Sequence, residues 1–180
     1  MLQITIPETE LFDENTLEFI KVKKHTLNLE HSLVSISKWE SKWNKPFLST
    51  KDKTTEEVID YIRCMTITQN VDPNVYLALP NYVYEKVEKY IDEPMTASWV
   101  SDNGKHKTTN EVITSETIYY WMISLQIPVD FQRWHLNRLL ALIQYCSIKN
   151  APEKKMTKAE TLKMYKDLNE KRKREMNTKG

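Results

Sequence analysis

Glycine occurs twice in 180 residues, at Gly104 and Gly180, where an average soluble chain carries roughly 7%. Loops that cradle phosphate need glycine, so that backbone can approach the anion and adopt positive φ. With one internal glycine, neither a Walker loop nor a dinucleotide-binding turn can be drawn along the chain. Nucleotide chemistry on those two scaffolds is therefore excluded. The remaining composition is that of a folded domain: 40% hydrophobic, 28% charged, net charge +1, with five Trp and nine Tyr. Disorder requires low hydrophobicity and high net charge, and this chain has neither. Its length suits one domain with a real core.

The hydrophobic pattern predicts an α+β fold, mainly α. Leu2, Ile4 and Ile6 alternate with Gln3 and Thr5 until Pro7 ends the run. After a turn at Asp13-Glu14-Asn15, Phe19-Ile20-Lys21-Val22 and 25–30 supply two further strands. Three short strands make a small antiparallel sheet whose apolar face needs a helical cover. Ser32 or Ser35 caps the next segment, with Leu33, Ile36, Trp39, Glu40 and Trp43 along one helical face, ending at Pro46 and Phe47. Thr54-Thr55-Glu56-Glu57 opens a second helix through Val58, Ile59, Ile62 and Met65. Asp72 caps a short piece over 74–79, and Pro80 to Pro94 bound a helix with Val83, Val87, Tyr90 and Ile91 inward. Residues 95–101 and 106–109 read as strands around Asp102-Asn103-Gly104-Lys105, the strongest turn signal present.

Two long helices follow. The first, over 112–126, is apolar enough to be buried on most sides, Tyr119-Tyr120-Trp121-Met122 included. The second, capped by Asp130, runs over 131–149 with Trp134, Leu136, Leu139, Leu140, Leu142, Ile143 and Cys146. Past Ala151-Pro152 ten Lys/Arg stand against five Asp/Glu, about +5, which leaves about −4 on residues 1–150. The organisation is thus one globular domain over 1–150, β-rich over 1–30 and mainly helical over 31–150, followed by a basic helical tail over 151–180.

Candidate chemistry is sparse. Cys64 and Cys146 form no C-x-x-C pair and read as buried, reduced thiols of a cytoplasmic protein. No signal peptide and no apolar run of about 18 residues is present. His135, in Trp134-His135-Leu136-Asn137-Arg138, has no further His or Cys at metal-ligand spacing, and reads as a hydrogen-bonded helix residue. His25 and His31 fall across a strand-to-helix junction. No serine sits in a G-x-S-x-G turn, and Glu56-Glu57 and Asp92-Glu93 fall at helix ends. No catalytic, cofactor-binding or metal-ligating residues are assigned, and no enzyme is expected. Trp39 and Trp43, beside Lys38 and Lys42, have the interleaving that binds single-stranded nucleic acid, but Leu33 and Ile36 continue their stripe, which favours packing over the sheet. The tail reads as a solvated helix, as a partner-binding helix anchored by Leu162, Tyr165 and Leu168, or as a nucleic-acid arm, the last disfavoured by its five acids.

Several whole segments carry a resemblance. Leu29-Glu30-His31-Ser32-Leu33-Val34-Ser35-Ile36-Ser37-Lys38-Trp39-Glu40-Ser41-Lys42-Trp43 with Lys45-Pro46-Phe47-Leu48, then Tyr61-Ile62-Arg63-Cys64-Met65-Thr66, Pro94-Met95-Thr96-Ala97-Ser98-Trp99 and Tyr119-Tyr120-Trp121-Met122, resemble a family encoded among the structural genes of tailed bacteriophages. So do Trp134-His135-Leu136-Asn137-Arg138-Leu139-Leu140, Ile148-Lys149-Asn150-Ala151-Pro152 and the basic tail ending in Asn177-Thr178-Lys179-Gly180. The family is the tail assembly chaperones of long-tailed phages (siphophages). The resemblance implies short and frameshift-extended forms that bind the tape measure protein and keep it soluble until tail tube protein polymerises around it. It implies residence in host cytoplasm and absence from the mature virion. A homo-oligomer is compatible with it. It carries over no catalytic residue. A chaperone for a long helical client needs exposed apolar and aromatic contacts, so the expected partner-binding set is Trp39, Trp43, Leu162, Tyr165 and Leu168, with the charges of Lys171, Arg172, Lys173 and Arg174. The alternatives are a nucleic-acid-binding packaging or regulatory protein, and a permanent head–tail component of the virion.

Overall fold

The computed structural model describes residues 1–13, 17–97, 112–151 and 158–176. The chain divides into two compact units, Met1–Lys149 and Asn150–Gly180, and the first is an α+β body, mainly α. Strand β1 (Leu2–Ile6) pairs antiparallel with β4 (His25–Leu29), with Ile4 opposite Leu27. Their alternation puts Ile4, Ile6, Leu27 and Leu29 in the core. The strand over Phe19–Val22 does not join that sheet. It lies within β3 (Glu18–Val22), which pairs with β2 (Thr9–Asp13) as a separate ribbon. The missing third position on β4 is taken instead by the chain after residue 65: Glu30 N–H donates to the Met65 carbonyl and Ile67 N–H to that of Asn28.

Helix α1 (Leu33–Trp43) starts at Ser32, whose capping box with Ser35 satisfies free N–H groups at both positions. Helix α2 (Thr55–Met65) starts the same way, through Thr54 and Glu57. The short α3 (Asn74–Leu77) follows Asp72, whose carboxylate accepts from the Asn74 N–H. In α4 (Asn81–Asp92), Val83, Val87 and Tyr90 are the buried positions, as the pattern predicts. Helix α5 (Ser115–Ser124) is shorter and less enclosed than expected: Ser115, Ile118 and Met122 are buried, while Tyr120 and Ile123 face outward. The expected long final helix is split. A 3₁₀ turn at Val129–Arg133 precedes an extended Trp134, and α6 (Leu136–Asn150) begins only after His135. The break has a cause: His135 pairs with Ser32 in an isolated antiparallel bridge, and Leu136 N–H donates to the His31 carbonyl. Those backbone groups serve the tertiary contact, not a helix. The expected turn over 102–105, the strand over 106–109, residues 98–101 of its partner, Glu14-Asn15 of the first turn, and Pro152 and Asn177–Gly180 of the tail lie outside the described residues. Met95–Ala97 carry no strand.

Scarce glycine leaves its mark in the turns. Left-handed backbone falls on Leu17, Asn44, Asn70, Met95 and Gln126. Asn tolerates that region, whereas other side chains strain there by about 1–2 kcal/mol. Gln126, φ 55°, is exposed and follows α5, so its side chain has no packing to lose. Gln126→Gly is expected to stabilise the body by about 0.5 kcal/mol, the relieved strain less the entropy glycine adds to the unfolded chain. A urea midpoint shifted upward with unchanged slope checks it.

Candidate functional site

Helix α7 (Lys158–Met176) contains neither Gly nor Pro, and ends with Lys173 and Arg174, cations that suit the negative end of a helix dipole. Leu162, Met164, Tyr165, Leu168 and Met176 are all exposed, Leu162 by 70% and Tyr165 by 55%. At 3.6 residues per turn these five fall within less than half the circumference. Lys171, Arg172, Lys173 and Arg174 are exposed as well. The structure thus brings the expected tail anchors together on one face of one helix.

The two tryptophans behave differently, and the assignment of Trp39 to a partner surface is corrected. Trp39 is fully buried, its Nε1–H donates to the Glu57 carbonyl at 2.9 Å, and its ring meets Phe47 edge-on at 5.1 Å. Trp43 is half-buried. Its Nε1–H donates to Asp60 Oδ2 at 2.9 Å, and Lys42 pairs with the other oxygen of that carboxylate. The Lys42 ammonium also lies 5.3 Å from the Trp43 ring. The Trp/Lys face that reads as a nucleic-acid platform is therefore largely engaged with α2. The stripe Leu33, Ile36, Trp39 needed burial, and α2 with Phe47 supplies it.

The buried titratable groups of the body bond to one another and to backbone. His31 and His135, 104 positions apart in sequence, meet edge to face at 5.1 Å. His31 Nδ1 shares a hydrogen bond with the Tyr61 hydroxyl. His135 Nδ1 accepts from the Asn137 N–H, so Nε2 carries the proton and donates to the Tyr90 carbonyl at 3.0 Å. Asn137 in turn donates twice, to the carbonyls of Ile91 and Glu93, closing the end of α4. Burial, then the neighbouring His135, lowers the His31 pKa to about 3, and burial lowers that of His135 as well. Burial raises Tyr61 far above the ordinary phenol. Tyr90, raised by burial and then by Glu30, donates its hydroxyl to the Glu30 carboxylate at 2.6 Å. Two neutral imidazoles between phenols make a polar core that joins the start of α6 to the end of β4.

The carboxylates serve the same end. Buried Glu40 accepts from the N–H groups of Phe47 and Ser115, both at 2.8 Å, fixing the chain after α1 and the start of α5. Glu57 is held below the ordinary carboxylate range by its bond from Lys45, then by the Thr54 N–H of its capping box. Among the described residues no buried side-chain nitrogen or oxygen lacks a partner, and no group of three His, Cys, Asp or Glu is placed to hold a metal ion. Cys64 and Cys146 are free and half-buried, less enclosed than the sequence suggests, and burial pushes the Cys64 thiol up to about 11. A groove of 330 Å³ beside Cys64 is flanked by Lys38 and Arg133, but its serines are committed: Ser32 caps α1, and the Ser35 hydroxyl donates to the Glu30 carbonyl. Among the described residues, no helix is long and apolar enough to cross a membrane.

Fold and surface together define an α+β protein, mainly helical, with an exposed amphipathic helix. No family model matches the chain, no curated protein matches it, and no solved structure matches it.

Proposed function

We propose that this protein is a tail assembly chaperone: a folded body carrying a docking helix, α7, which covers an apolar stretch of the phage tape measure protein and keeps it soluble while tail tube protein assembles. One observation carries the proposal. Leu162, Tyr165 and Leu168, with Met164 and Met176, are exposed apolar side chains gathered on one half of a helix, interspersed there with Thr161, Asn169, Arg172 and Glu175. A helix that gathers them this way has a face built for an amphipathic partner. Burying several such side chains against a client supplies about 1.5–3 kcal/mol each before ordering costs are subtracted. The body is suited to hold such a helix, since among the described residues no buried side-chain nitrogen or oxygen lacks a partner. The resemblance of the segments around Trp39, Tyr61 and His135 to phage tail chaperones supplies the client.

The test is co-expression with the tape measure protein of the same phage, tagged pull-down, and mass spectrometry of purified virions. Co-purification, with the chaperone missing from virions, is expected. The L162S/Y165S/L168S variant should leave the body folded and send most of the tape measure protein to the insoluble fraction. Unchanged solubility with that variant would sink the docking role of α7, and finding the protein in virions would favour a structural component.

A further inference from the structure

The fold splits the pentapeptide Trp134-His135-Leu136-Asn137-Arg138 between two tasks. His135 and Leu136 are buried, and Asn137 donates to the carbonyls of Ile91 and Glu93, so these three fix α6 to the end of α4. Trp134 is half-buried and Arg138 exposed. Trp134 stacks on Phe131, with ring centroids 4.1 Å apart and planes 14° from parallel. The Arg138 guanidinium carbon lies over the same indole, 4.1 Å from the ring centre. Two groups that close cannot share a face, so the indole is sandwiched between them. Stacking engages the flat face of a guanidinium and leaves free the N–H donors in its plane. Beside this stack a groove of 510 Å³ runs between α6 and the chain leaving α4, with Met95, Ala97, Leu142 and Tyr145 in its lining. Among the described residues Arg138 is the one charged group of that lining. Helix α6 carries no Asp or Glu. No carboxylate among the described residues, those of Asp92, Glu93 and Asp130 included, lies within ion-pair distance of Arg138. Lys149, 5.6 Å from the Tyr145 ring centre, adds a second cation nearby.

We infer that this groove docks an acidic peptide: a segment of a protein partner in which Asp or Glu stands beside an apolar or aromatic residue. The groove is built from the body alone, so its role does not depend on that of α7. A groove of 510 Å³ with an apolar lining and few polar groups has the size and character of a ligand or peptide-anchor site. Arg138 supplies the charge that orients the occupant, because a guanidinium fork pairs with both oxygens of one carboxylate. Held on Trp134, it has less rotamer freedom to lose when the pair forms. The apolar neighbour of the carboxylate then lies against Met95, Leu142 and the Tyr145 ring. One cation in an otherwise uncharged lining matches a single opposing charge. A phosphate carries nearly two and is better met by a cluster of cations. A nucleobase finds no free face on Trp134, since Phe131 and Arg138 cover both.

Fluorescence anisotropy of the full-length protein against three labelled peptides tests this. The first centres on Phe-Glu-Leu, the second carries Gln in place of Glu, and the third carries phosphoserine there. The Glu peptide is expected to bind about tenfold tighter than the Gln peptide, the value of one charge-assisted pair. R138L should abolish that preference, and R138K should keep part of it, since lysine retains the charge and loses the fork. L142D, which gives Arg138 a carboxylate of its own one helical turn away, should lose the Glu peptide. L162S/Y165S/L168S should bind all three as the wild type does, which separates this site from the tail helix. Equal affinity for the Glu and Gln peptides, a preference that R138L leaves intact, or no binding of any of the three would overturn the inference. So would tightest binding of the phosphoserine peptide, or competition by a single-stranded oligonucleotide. Self-association of the protein that R138L abolishes would give the groove to a second copy and overturn it as well.

Discussion

Replacing Trp39 by Ala is expected to lower the unfolding free energy of the body by about 3–5 kcal/mol. Among the described residues Trp39 is the largest fully buried side chain, wedged against Phe47 and half-buried Trp43, with its indole N–H on the Glu57 carbonyl. Truncation leaves a cavity the size of an indole, and it strips a hydrogen bond from a carbonyl in the first turn of α2. Because a domain of this size is stable by only about 5–15 kcal/mol, a substantial share of that margin goes with one side chain. Trp39→Phe separates the two contributions: it keeps a ring and loses the donor, at an expected loss of about 1–2 kcal/mol. Urea midpoints of the three proteins, with slopes compared, make the measurement. If Trp39→Ala stayed within about 1 kcal/mol of wild type, the tryptophan would belong to a surface after all, and the partner assignment withdrawn above would return.

That reversal shows where the sequence is readable and where it is not. The starts of α1 and α2 were legible because Ser32 and Thr54 sit at the first free N–H groups, a local signal that needs no knowledge of the fold. The face of α1 was legible too, but its partner was not. Lys38 and Lys42 beside two tryptophans describe a buried stripe with a charged margin and a nucleic-acid platform equally well, and only the position of α2 decides. The sheet failed for a related reason. Glu10 and Asp13 hide the alternation of β2, and its pairing with β3, reinforced by the Glu10–Lys21 ion pair at 3.5 Å, is a choice between edges that no single strand encodes. The tail was plain because its charge changes sign after residue 151 and its apolar residues recur at helical spacing. The histidine pair was invisible, being a contact between residues 104 positions apart. Its only trace was the cluster Trp134-His135-Leu136-Asn137-Arg138, which reads as helix and is a helix start.

That pair makes the stability of the body pH-dependent. His31 has a folded pKa of about 3, far below the 6.5 of the unfolded chain, so on acidification the unfolded state takes up the proton first. The contribution of neutral His31 is whole above pH 6.5 and declines as the pH falls toward 3. The slope approaches about 1.4 kcal/mol per pH unit and the total loss is roughly 5 kcal/mol. His135, lowered in the same direction, adds to it. Glu57 adds a further loss below the ordinary carboxylate range, because its folded pKa is depressed and its stabilisation vanishes on protonation. Urea midpoints followed from about pH 7.5 to about pH 4 should fall steeply for the wild type. His31→Gln should start lower, having lost the bond to Tyr61, yet decline less, so that the two curves converge in acid. Parallel curves would assign the acid sensitivity to the carboxylates. Convergence would place it where β4 meets α6, at a histidine whose burial opposes an added proton, so that acid would open the body there before it reached the capped starts of α1 and α2.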